Sequence, residues 1–124
     1  MAGQQNLKID YIEFPAADLK SVECFYSAVF GWKFTWYGDA YLAFSDGQMD
    51  GGFFKTEAAP CPQSDNPHGV GTLVIMYSGD LEHTRDAVVA AGATLSKDIF
   101  EFPGGRRFQF LDPAGNELSV WSEK

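Results

Sequence analysis

Gly105–Trp121 reads G-R-R-F-Q-F-L-D-P-A-G-N-E-L-S-V-W, and its residues predict a β-hairpin. Phe108, Phe110, Leu118, Val120 and Trp121 supply β-favouring bulk. Asp112–Asn116, holding proline, glycine and asparagine, supplies the turn. Alternation puts Leu118 and Val120 on one face of the second strand and Glu117, Ser119 and Trp121 on the other.

Moving back along the chain, Thr94–Phe102 is a further strand, joined to the hairpin through Pro103, Gly104 and Gly105. Before it, Asp80 is an N-cap for a helix with apolar positions at Leu81, Thr84, Val88 and Ala91, stopped by Gly92. Val70–Tyr77 (V-G-T-L-V-I-M-Y) is almost continuously apolar, which predicts a strand buried on both faces.

The first half has the same order. Leu7–Phe14 alternates, with Ile12 and Phe14 on one face and Tyr11 and Glu13 on the other, and Pro15 ends it. Asp18 caps a helix carrying Leu19, Val22, Phe25, Tyr26, Val29 and Phe30, closed by Gly31. Trp32–Tyr37, Ala40–Ser45 and Met49–Lys55 follow as three strands, split at Gly38-Asp39 and Asp46-Gly47. From each capping aspartate the apolar positions recur at the same offsets, Leu19, Val22, Tyr26 and Val29 answering Leu81, Thr84, Val88 and Ala91. Such an internal repeat outranks any short motif as a fold signal.

The expected architecture is therefore α+β: two βαβββ modules forming a curled mixed sheet around a cavity, with the helices on the convex face. One domain covers residues 1–124, with module one at about 7–55, a connector at 56–69 and module two at about 70–122. The connector Thr56–Gly69 holds three prolines and no periodicity, and reads either as a mobile lid or as a plain crossover.

Aromatic residues make up 15% of the 124 residues, with eleven Phe, more than a small core ordinarily uses, which suggests an aromatic-lined cavity. The formal charge of −8 argues against a nucleic-acid partner and is compatible with a cationic ligand. No apolar run approaches the ~20 residues of a membrane span, and the N-terminus lacks a signal peptide's apolar stretch. Cys24 and Cys61 read as free thiols, with Cys24 in the core. A cytoplasmic protein without a membrane partner is expected.

Three blocks, Tyr11–Leu19 (Y-I-E-F-P-A-A-D-L), Phe25–Trp32 (F-Y-S-A-V-F-G-W) and Phe110–Leu118 (F-L-D-P-A-G-N-E-L), resemble the glyoxalase/bleomycin resistance/dioxygenase group, the vicinal oxygen chelate superfamily. The resemblance spans nearly the whole chain and implies the glyoxalase/bleomycin resistance fold. It does not fix a function, because the superfamily includes isomerases, epimerases, dioxygenases, antibiotic-modifying enzymes and drug-binding proteins.

The resemblance also implies where a divalent metal would be held. By position, the ligands fall on Tyr11, on Gly52, on Leu73 or Thr72, and on Ser119. A divalent site needs about three imidazole, carboxylate or thiolate ligands, and these positions offer none. The only histidines are His68, in the connector, and His83, on the polar side of the second helix, both read as solvated. No metal and no cofactor is expected, although a rebuilt site from Glu13, Asp50 and Glu117 remains open.

The expected binding surface comprises Tyr11, Glu13, Tyr41, Asp50, Phe54, Gln109, Ser119 and Trp121, with Glu117 nearer the rim. Glu13 is either a candidate acid/base or the ion-pair partner of Arg106 or Arg107. Those two arginines could clamp an anion or merely decorate an exposed turn, and Gly52 could relieve crowding beside Trp121. Two functions follow. One is a metal-free protein that sequesters or senses an aromatic or cationic small molecule, acting as a homodimer as the resemblance implies. The other is a metal-independent or rebuilt-site lyase or isomerase with Glu13 as catalytic acid/base and Tyr11 as catalytic hydrogen-bond donor. A metal-dependent lactoylglutathione lyase ranks last for want of ligands.

Overall fold

The computed structural model describes residues 4–68 and 71–124. The first half forms β1 (Tyr11–Ala16), α1 (Leu19–Phe30), β2 (Lys33–Trp36), β3 (Tyr41–Ser45) and β4 (Asp50–Lys55). The second forms β5 (Val74–Tyr77), α2 (Leu81–Ala90), β6 (Thr94–Phe102), β7 (Gly105–Leu111) and β8 (Glu117–Ser122). Each half makes one four-stranded mixed sheet, ordered β1-β4-β3-β2 and β5-β8-β7-β6, in which only β1/β4 and β5/β8 pair in parallel. The two βαβββ modules of the repeat are thus real.

Helix boundaries follow the caps. The Asp18 carboxylate accepts from the amides of Lys20 and Ser21 at 3.1 and 3.3 Å, and Gly31 ends α1 at φ +70°, a conformation that costs glycine little. Asp80 accepts from the His83 amide at 3.1 Å. The helix α2 ends at Ala90, with Gly92 at φ +103° just beyond it.

Both helices pack on one face of the sheets, through Leu19, Val22, Phe25 and Tyr26 of α1 and Leu81 and Val88 of α2. Tyr26, Trp32 and Phe44 stack with centroid separations of 4.3 and 4.4 Å. Phe25 and Phe30 of α1 reach across the modules to Phe110 at 5.9 and 6.1 Å. Most of the aromatic excess is spent in this core, so it is not by itself a sign of a cavity.

Several local expectations are corrected. Strand β1 begins at Tyr11, while Leu7 and Ile9 are exposed and lie outside it. It continues through Pro15 to Ala16, which an edge strand permits because proline there forfeits no essential ladder bond. Strand β5 is shorter than Val70–Tyr77 and buried on one face only: Ile75 and Tyr77 are exposed. Val70, like Gly69, lies outside the described residues. Cys24 is exposed on α1 rather than in the core, and Cys61 is exposed too.

Candidate functional site

The strand registers define the sheet face opposite the helices. In the first sheet, Tyr11 and Glu13 of β1, Tyr41 of β3, and Asp50, Gly52 and Phe54 of β4 share it, with Glu13 opposite Gly52 and Tyr41 opposite Phe54. In the second, Ile75 and Tyr77 of β5, Arg107 and Gln109 of β7, and Glu117, Ser119 and Trp121 of β8 share it. The eight residues expected on a binding surface do lie on this face. They divide into two groups, one on each sheet.

The first group is organised around a glycine. The Tyr11 and Tyr41 hydroxyls are 2.6 Å apart, and Tyr41 donates to Glu13 Oε2 at 2.9 Å. Both hydroxyls lie over Gly52: a Cβ there would overlap the Tyr41 hydroxyl and come within 2.7 Å of that of Tyr11. Tyrosines, not Trp121, are what Gly52 makes room for. Burial, then the hydrogen bonds with Tyr11 and Glu13, push the Tyr41 phenol well above its ordinary pKa, so it stays a neutral donor. Glu13 makes no ion pair with the arginines. Arg106 instead forms a bidentate pair with Glu82 of α2 at 2.5 and 3.1 Å, which pulls the Glu82 carboxyl down to about 2.

The second group is held by Glu117. Its carboxylate accepts from Ser96 Oγ at 2.6 Å, from the Ser64 amide at 2.8 Å and from Gln109 Nε2 at 2.9 Å. Burial alone would raise its pKa, but these donors, with a contribution from Gln63, outweigh burial and hold it below the usual carboxylate range. Through Ser64, Glu117 pins the connector's short 3-10 helix, Gln63–Asp65, over the second sheet. Ser119 is completely buried, and its Oγ donates to the Phe108 carbonyl at 2.8 Å. It braces the hairpin from within and presents nothing to a ligand.

Among the described residues, clefts lie on this face and at the edge between the two sheets. One of about 500 Å3 is lined by Gln63, Ser64, Lys97, Arg107 and Gln109, with Leu73 and Ile75 among its walls. A second, about 420 Å3, is bounded by Ile75, Phe102, Arg107 and Trp121. A third, about 280 Å3, has Glu13 and Glu117 with connector residues on its walls. A fourth, about 490 Å3, runs between β1 and β5 and includes Trp121. Tyr11, Tyr41, Asp50 and Phe54 line none of these four.

The donor chemistry does not fit the divalent metal that the fold implies. Of the four positions, Gly52 has no side chain and its space is filled, Leu73 is hydrocarbon, Ser119 is sealed and committed, and Tyr11 is bonded to Tyr41. Glu117 is already engaged by its donors, which leaves Glu13 and Asp50 short of a third ligand. Among the described residues, no group of three His, Cys, Asp or Glu side chains is placed to hold a metal ion.

The Glyoxalase/Bleomycin resistance protein/Dioxygenase superfamily model matches residues 8–120, and the chain belongs to that superfamily. Its fold is shared by a family enzyme from Burkholderia phytofirmans PsJN at 18% identity, covering 93% of this chain and 98% of that one with a TM-score of 0.75. It is similar to a fosfomycin resistance protein from Listeria monocytogenes (11% identity, coverage 95% and 94%, TM-score 0.77). It is also similar to a lactoylglutathione lyase from Agrobacterium tumefaciens (22%, 96% and 96%, 0.67). At these identities the likeness is one of fold. No curated protein sequence matches the chain.

The residues that sequence reasoning passed over are Lys97, Phe102, Gln63 and Ser64. Lys97 and Phe102 fall on β6, where irregularities between Leu95 and Lys97 and between Lys97 and Phe100 shift the register and defeat simple alternation. Gln63 and Ser64 come from a connector without periodicity.

Proposed function

We propose that this chain is a small-molecule-binding member of its superfamily that works without the family's divalent metal. It would take an aromatic or apolar ligand on the sheet face opposite the helices. The observation that carries this reading is the state of the metal-ligand positions, above all Gly52, whose side-chain space is occupied by the Tyr41 hydroxyl. Clefts of about 500 and 420 Å3 adjoining Arg107 are of the size that small organic ligands use.

The acidic residues that would favour a cationic ligand are partly consumed, since Glu117 and Glu13 each accept hydrogen bonds from within the protein. Aromatic character is the part of the sequence expectation that keeps its support, in Trp121, Phe102 and Tyr77, whose rings lie together. Exposed Tyr11, Phe54, Ile75 and Tyr77 support a homodimer that pairs through this face and leaves ligand grooves at its interface, and we place the protein in the cytoplasm. From the Arg107 clefts, with Gln109 and Trp121, the binding surface is proposed to extend across the open face to Tyr11, Glu13, Tyr41, Asp50 and Phe54 on the other sheet.

Metal analysis of protein purified without chelator, followed by Co2+ and Zn2+ titration, tests the reading. The expected result is no stoichiometric metal and no tight uptake, together with thermal stabilisation by some aromatic compound without turnover. About one tightly held metal per chain would overturn it.

A second reading, favoured by the Tyr11–Tyr41–Glu13 chain of hydrogen bonds, is a metal-independent lyase or isomerase. Glu13 would take a proton from the substrate, with Tyr41 donating to its carboxylate and Tyr11, released from Tyr41, turning its single O–H to a developing oxyanion. The lactoylglutathione lyase among the fold neighbours is a precedent in reaction class. Turnover lost in Glu13→Gln, with ligand binding kept, would establish it.

A further inference from the structure

We propose that the polar cleft on the second sheet binds an organic anion: a carboxylate or phosphate-type headgroup held by Arg107 and Lys97, carried on an apolar or aromatic body. The proposal rests on the reading of this face as a ligand-binding surface, and it names the class of ligand.

Arg107 Nε is buried and has no hydrogen-bond partner among the described residues. Burying a guanidinium N–H without an acceptor is costly, and native structures rarely leave one so. Packing explains the planar faces of the group, since the Arg107 guanidinium lies 5.2 Å from the Phe100 ring centroid and 5.7 Å from that of Phe102. It does not explain the edge. The five N–H donors point outward in the guanidinium plane, where they match the oxygens of a carboxylate or phosphate.

The surroundings agree. Lys97 is held 5.9 Å over the same Phe100 ring and lines the same cleft as Arg107. Neither cation forms an ion pair among the described residues, whereas Arg85 and Arg106 are both paired with carboxylates. In a chain with a formal charge of −8, two uncompensated cations sharing one cleft are not explained by a general surface field. The nearby carboxylate is Glu117, and its donors from Ser64, Ser96 and Gln109 temper its repulsion of an incoming anion.

Arg107 also lies where two clefts meet. On one side are Gln63, Ser64, Lys97 and Gln109; on the other are Phe102 and Trp121, with Ile75 shared by both. A ligand with a charged head and an apolar body fills both. A bare inorganic anion fills only the first.

The experiment is a titration of the intact protein with phenylphosphonate and 3-phenylpropanoate, against inorganic phosphate, benzylamine and benzyl alcohol. It is read by calorimetry and by the Arg107 Nε–H signal in 15N–1H correlation spectra, assigned from its loss in Arg107→Lys. Both aryl anions should move that signal, and added salt should weaken them. Inorganic phosphate should bind more weakly. Arg107→Gln should weaken the aryl anions about ten- to a hundredfold, the range for a lost charge-assisted hydrogen bond. Lys97→Gln, at an exposed position where folding is not at stake, should weaken them by a smaller factor. An unmoved Arg107 signal, or unchanged affinity in both variants, overturns the proposal. If benzylamine or benzyl alcohol binds this face and the anions do not, the anion assignment falls while the binding-protein reading stands. Tight metal uptake would sink that reading, and the Arg107 titration would still be judged by its own signal.

Discussion

The Tyr26 hydroxyl donates to Asp112 Oδ2 at 2.7 Å, tying α1 of the first module to the hairpin turn of the second across 86 residues of sequence. Both groups are buried. The Asp112 carboxylate also orders its own turn, with Oδ1 accepting from the Ala114 and Asn116 amides at 2.9 Å each. Asn116 in turn donates to the Pro15 carbonyl of β1 at 2.9 Å. The turn that first marked the fold is thus also a joint between the repeats.

Tyr26→Phe should cost about 1.5–3 kcal/mol, the range for a hydrogen bond to a buried charged group. Chemical denaturation checks this. Because Phe keeps the ring stacked on Trp32, a cost near zero would mean that the hydroxyl carries none of the contact between modules.

Adjacent glycines on β4 should respond differently to the same change. A Cβ on Gly51 would overlap the Ile12 carbonyl oxygen, which is backbone of the paired strand, and the Phe44 ring in the core. Neither can retreat, so Gly51→Ala should lose about 3 kcal/mol or more, at the upper end for overpacking. A Cβ on Gly52 meets the ends of Tyr41 and Tyr11 on the open face. Those rings can swing away, so Gly52→Ala should cost about 1 kcal/mol while breaking the Tyr41–Glu13 hydrogen bond. Equal losses in the two variants would contradict this account of β4.

Much of this architecture was legible because it is local and periodic. Asp18, Gly31 and Asp80 bound their helices through cap chemistry, and the spacing of Leu19, Val22 and Tyr26 fixed the face of α1. Parity likewise placed Tyr11, Glu13, Tyr41 and Trp121 on the side away from the helices. What parity could not show is depth. Ser119 and Trp121 alternate onto the same face, yet Ser119 is sealed and Trp121 is not, because that depends on long side chains and on where the connector lies. Register was the other blind spot: the irregularities in β6 put Lys97 opposite Gln109, on the face that carries Arg107, and no single-strand pattern announces them.

Ser119→Ala should remove one buried hydrogen bond and cost about 0.5–1.5 kcal/mol, with ligand affinity unchanged. Parallel denaturation and binding measurements check it. A large loss of affinity with stability intact would return Ser119 to the binding surface.

Two buried carboxylates should give stability profiles of opposite slope against pH. Donors hold Glu117 below its ordinary pKa, so its contribution is present above the unfolded value of about 4.3 and is lost as pH falls through the folded value. Burial raises Asp112 despite its hydrogen bonds from Tyr26, Asn116 and Ala114. Its contribution is therefore present below about 3.9 and is lost as pH rises through the folded value. The stability of wild type relative to Glu117→Gln should accordingly rise from about pH 3 to about 5 and then stay level, while that relative to Asp112→Asn should fall over the acid range above about pH 4. Denaturant midpoints in steps from pH 3 to 7 give both curves from one set of samples. A rising slope for Asp112 would show that its hydrogen bonds outweigh its burial, and a falling slope for Glu117 would show that its donors do not outweigh burial. In that case the Ser64 amide should exchange with solvent as fast in wild type as in Glu117→Gln, rather than being protected by the carboxylate that pins the connector.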